Sequence, residues 1–125
     1  MKKIKKDNNI LAIVLNSDLD KGTTPLTDEE WPLQALSLNH PKGTVLDPHY
    51  HKSKTRKTDK LMEAIVVFSG KVKIDIYYKK KIYETVILER GQTIIINTGI
   101  GIEVIEDAKM IEFKNGPFVE DKVVI

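Results

Sequence analysis

The chain has 125 residues, 30% of them charged, a formal net charge of +2 and no cysteine. That length suits one domain with a single core. The near-balanced charge argues against a dedicated nucleic-acid binder, and the missing thiols exclude disulfides, thiolate metal ligands and a cysteine nucleophile.

Residues 1–8 are basic and read as a flexible arm. The run ILAIVL that follows gives the start the outline of a signal peptide, but it is only six residues long and ends at Asn16-Ser17-Asp18. A secretory core is longer and a membrane span far longer, so the reading is a soluble, cytoplasmic protein without a membrane partner. Residues 10–15 predict a strand buried on both faces or at an interface. Residues 16–32 are a connection, in which Thr27-Asp28-Glu29-Glu30 has the spacing of a capping box and predicts one helical turn closed by Trp31-Pro32. Trp31, the one tryptophan, reads as a cap packed over one end of the fold.

From Leu33 onward the period is two, the repeat of a strand with alternating faces. Leu36 and Leu38 share a face, and His40-Pro41-Lys42-Gly43 is a turn. His49 and His51 stand one residue apart, so a strand would send both imidazoles from the same face. A polar segment with Lys52, Lys54, Arg56, Lys57 and Lys60 follows. Glu63 then opens an apolar run that ends at Gly70. Val72, Ile74, Ile76 and Tyr78 alternate with Lys71, Lys73, Asp75 and Tyr77, a strand with one wet face. Its hairpin partner is residues 82–88. Short strands over residues 93–96, 100–105 and 110–114 complete the pattern, with Glu106-Asp107-Ala108 as a turn between the last two. Eight or more short strands predict an all-β antiparallel sandwich or barrel.

Two imidazoles and a carboxylate converging on one point form a common site for a divalent metal such as Zn, Fe, Mn or Ni. Gly43, five residues, His49-Tyr50-His51, a spacer, Glu63, six residues and Gly70 resemble the first motif of the cupin superfamily, G-x5-H-x-H, a spacer, then E-x6-G. The spacer of eleven residues exceeds the short form of the motif, and a longer loop absorbs that at little cost. This resemblance implies a cupin-type double-stranded β-helix, a jelly-roll barrel, with His49, His51 and Glu63 as metal ligands. A later cupin segment, G-x5-P-x-G-x2-H-x3-N, is matched by Gly91 and Gly99, while Asn97 replaces the proline and Ile102 the histidine that is usually the fourth ligand. Three protein ligands then remain. Residues 33–122 carry the resemblance, and EDAKMIEFKNGPFVEDK is similar to the end of small cupins found with surface-polysaccharide and nucleotide-sugar genes.

The resemblance implies a single cupin domain over residues 1–125 that binds a small molecule, an anionic sugar or sugar nucleotide. The mouth would be lined by His49, His51, Glu63, Ile100, Ile102 and Val104, with Arg56 gripping phosphate oxygens. As an enzyme it would be an isomerase or epimerase in which His49 or Glu63 moves a proton beside a sugar carbonyl. A metal-free binding or regulatory barrel and an Fe-dependent dioxygenase with an open 2-His-1-Glu site stay as alternatives. A homodimer is expected by the same resemblance, with residues 10–15 as the exchanged edge.

Overall fold

The computed structural model describes residues 1–125 as eight strands and no helix. The strands are β1 Lys2–Lys6, β2 Asn9–Leu15, β3 Gly22–Pro25, β4 Leu36–Asn39, β5 Glu63–Tyr78, β6 Lys81–Glu89, β7 Thr93–Ile96 and β8 Ile100–Lys114. All pairings are antiparallel. One sheet runs β1-β2-β7-β5-β6, with β8 along the other side of β5, and β3 pairs β4 as a separate ribbon. The result is an antiparallel sheet curled into a half-barrel.

The curl originates in β5. Its first residues, Glu63 to Val66, pair with β7, whereas Lys71 to Tyr78 pair with β6. β8 follows β5 through both parts, with register shifts between Val67 and Val72. Ile65 and Val67 join the main core on odd positions, and Val72, Ile74 and Ile76 join it on even ones. An uninterrupted strand keeps one parity, so the change locates a bulge and a bend at residues 68–71. Gly70 sits there with φ of 82°, and a Cβ on it would overlap the backbone carbonyl of Asp107. Only glycine supplies that conformation without steric cost.

Two layers therefore enclose the main core, in which Ile74, Ile94 and Leu88 are fully buried. β2 and β7 bury both faces: Ala12, Val14, Ile94 and Ile96 point to the main core, while Ile13, Leu15 and Ile95 meet Met62, Leu26 and Trp31 in a second cluster. On the far side the curl is held by side chains rather than by a backbone ladder. The Tyr83 hydroxyl donates to the Lys5 carbonyl at 2.9 Å, Tyr78 donates to Asp7 at 2.9 Å, and Lys2 pairs with Glu84.

Several expectations need correction. Lys2–Lys6 is a strand rather than a flexible arm, because Ile4 is buried and the residues pair with β2. Asp7 and Asn8 make the tight turn between them with φ of 48° and 63°, a region that Asn and Asp tolerate better than most residues. Residues 10–15 lie in an interior strand, between β1 and β7, so they are not available as an exchanged edge. The capping box does not cap a helix: Thr27 donates to Gln34 and accepts from the Ala35 amide, while Asp28 closes the turn by accepting from the Glu30 amide. β5 does not end at Gly70, and β8 passes through Glu106-Asp107-Ala108 as a bulged strand instead of turning.

Gly70→Ala combines left-handed strain with a backbone overlap and should lower stability by about 3 kcal/mol or more. Gly43, with φ of 91° and open space around it, should cost only about 1 kcal/mol on the same change. Urea unfolding of both variants measures the difference, and equal losses would contradict the role given to the bend.

Candidate functional site

Because β5 bends back, its first and last residues reach the same end of the half-barrel. Glu63 and Tyr77 both line an open cleft of about 650 Å3, with Ile96, Ile100 and Ile102 on its apolar wall. The connection from β7 to β8 forms one rim and is fixed by hydrogen bonds. Asn97 donates its amide to Leu11 at 2.9 Å and its side-chain nitrogen to Ile10 at 3.1 Å. The Thr98 hydroxyl donates to the Tyr77 carbonyl at 2.7 Å.

Strand register builds the polar end of the cleft. Glu63 lies opposite Lys114 and Ile65 opposite Glu112, and paired residues share a face. The Lys114 ammonium stands 3.5 Å from Glu63 and 3.4 Å from Glu112, bridging the two carboxylates. Burial pushes the Glu63 carboxyl above its usual range, and the Glu112 carboxylate pushes it further, while Lys114 draws it down. Glu112, then Glu63, raises the Lys114 ammonium in turn. A half-buried acid with raised proton affinity beside a cation has the chemistry of a proton donor or acceptor.

The histidines lie elsewhere in the fold. Residues 45–62 form no strand, contrary to the expected His-x-His strand. Pro48 has no amide proton to offer a ladder, and the cations that follow favour solvation. His49 and His51 are exposed, with ring centroids 5.3 Å apart and planes at 82°. His49 Nδ1 is 2.8 Å from the Asp47 carbonyl; a carbonyl only accepts, so Nδ1 is the donor there. Glu63 does not join them, since no three His, Cys, Asp or Glu side chains come together.

No protein-family model, curated protein or solved structure matches the chain. The site is therefore read from its own chemistry.

Of the residues singled out from sequence, Glu63, Ile100 and Ile102 line the cleft, and Val104 lies further along β8. Arg56 is exposed, its guanidinium 3.5 Å from the Lys54 carbonyl. Glu103 faces away and pairs with Lys73 at 2.6 Å. Lys114 was not foreseen, although its two-residue spacing from Glu112 marks it as sharing a strand face. Asn115 was missed as well. It accepts from the Met62 amide at 2.7 Å and donates to the Lys60 carbonyl at 3.0 Å, fastening the end of the histidine-bearing segment beside the cleft.

The raised Glu63 has a signed consequence. Between the usual carboxylate range and its raised folded value, the folded chain holds a proton that the unfolded chain has released. Stability from this group is therefore lost as pH rises through that window. In Glu63→Gln the slope should vanish, so the urea midpoint of the variant relative to the parent should increase from pH ~4 to pH ~7. A constant offset would mean that the carboxyl is not perturbed.

Proposed function

We propose that this chain is a cupin-type small-molecule-binding protein whose ligand occupies the cleft between Glu63, Lys114 and the Ile100-Ile102 wall. The observation that carries the reading is the meeting of an apolar wall with a half-buried carboxyl of raised proton affinity and an adjacent ammonium. Charged side chains converging beside an apolar wall, as Glu63, Glu112 and Lys114 do here, can fix the orientation of a bound ligand. The ligand class, a sugar or sugar nucleotide, comes from the resemblance of the final stretch to small cupins of polysaccharide gene clusters. In the catalytic form of the reading, Glu63 takes the proton beside a sugar carbonyl and returns it to the neighbouring carbon, or loses it to solvent while water protonates the opposite face. The Lys114 ammonium stabilises the enolate oxygen formed in between. The product is the isomerised or epimerised sugar.

Titration with hexoses, hexose phosphates and nucleotide sugars, followed by amide NMR, tests it. Shifts should concentrate at Glu63, Ile100, Ile102 and Lys114, and Lys114→Gln should weaken binding about tenfold or more. Solvent deuterium should appear at the carbon beside the carbonyl in the catalytic form, and binding without exchange would indicate the regulatory form. An absence of shifts at millimolar ligand would reject the cleft.

A second reading is favoured by the histidine pair. His49, with Nδ1 held by a backbone carbonyl and Nε2 outside that bond, is arranged as metal-bound imidazoles usually are, and His51 stands next to it. Two imidazoles would supply two ligands of a Zn, Fe, Mn or Ni shell, and water, substrate or a carboxylate brought in by the segment would supply the rest. The metal would act as a Lewis acid on a bound carbonyl, or, if Fe, as the centre of a dioxygenase. Elemental analysis after reconstitution should show one metal per chain, lost in His49→Ala and His51→Ala. Equal metal content in the parent and both variants would reject this centre.

A further inference from the structure

The segment after β8 returns across the same cleft. Residues 121–125 contribute to its lining, opposite Glu63 and Ile100. Their hold is purely apolar. No backbone group of residues 116–125 makes a hydrogen bond, and no ion pair involves Glu120, Asp121 or Lys122. Val123 and Val124 are 86% and 87% exposed. Ile125, though 57% exposed, comes close to the rim: its Cδ1 would stand 2.7 Å from a Cβ at position 99. Gly99 does not adopt the left-handed conformation, so its missing side chain is not demanded by the turn. What it provides is room for Ile125.

We propose that residues 121–125 are a displaceable strap that occupies the cleft until a ligand removes it. This rests on reading the cleft as a ligand site, and it adds the regulation of that site. A segment with exposed side chains and no hydrogen bonds opens at low cost, and ligand affinity is reduced by the fraction of molecules in which the strap covers the cleft. Releasing it opens the wall around Ile100 and Ile102, of which Ile102 is already 45% exposed, and leaves Ile96 in the core.

The test uses the full chain and the apolar dye ANS, which reports the exposed wall whether or not a sugar binds. Ile125→Ser removes the anchor, and Gly99→Val fills its seat. Both should bind ANS about fivefold tighter than the parent, with residues 118–125 cleaved faster by protease and the urea midpoint unchanged in Ile125→Ser. Identical ANS affinity in Ile125→Ser and the parent would overturn the proposal. If Gly99→Val lowers the urea midpoint, Ile125→Ser alone decides, since its side chain lies outside the core. The two readings fail separately: tighter ANS binding with no sugar binding, even in Ile125→Ser, retains the strap and rejects the sugar.

Discussion

The structure depends on a close passage of two backbones, Gly70 of β5 against Asp107 of β8. One pair of long strands can serve two layers only if both bend together, and the bend requires a residue with no side chain facing the neighbouring carbonyl. Everything that gives the molecule a mouth follows from that passage. It brings the first and last residues of β5 to one end, sets Glu63 beside Lys114, and lets β7 and β6 share the same side of a single strand. A straight β5 would produce a flat sheet with an apolar face open to water along its whole length, which a chain of this size could not keep dry.

Much of the architecture was legible because alternation carries so much of the signal. The hairpin of β5 and β6, the short β7 and the all-β class come directly from apolar residues at every second position. Burial on both faces of β2 was visible in an unbroken apolar run. Other elements were hidden for identifiable reasons. β1 looked like a loose arm because four of its five residues are lysines, yet Ile4 alone is enough to fix its register. The bend was read as the end of one strand and the start of another. The clue was the change of inward parity between Val67 and Val72, which a bulge creates and a turn does not require.

The site was legible in part. Glu63, Ile100 and Ile102, picked out from the sequence, line the cleft, but Glu63 was expected beside the histidines and stands beside Lys114 instead. Lys114 escaped because its role depends on pairing across β5 and β8, and register between distant strands is not written in either strand alone. The histidines illustrate the opposite limit. Their spacing is that of a strand face, but alternation in a polar segment after a proline does not supply the burial that would hold a strand in place. Side-chain spacing tells what two residues would do if the backbone were extended; it does not extend the backbone.

The outer margin of β8 carries one more implication. Fifteen residues long, it has β5 on one side and no strand on the other, and Ile105, Ile111 and Phe113 are exposed along it. Such a margin would ordinarily template the stacking of molecule upon molecule into fibres. The register shifts that accommodate Gly70 also break the line of free amides and carbonyls near its middle. A neighbour could match one half of that margin but not both, so the crease that shapes the cleft also leaves β8 without a continuous edge for side-by-side stacking.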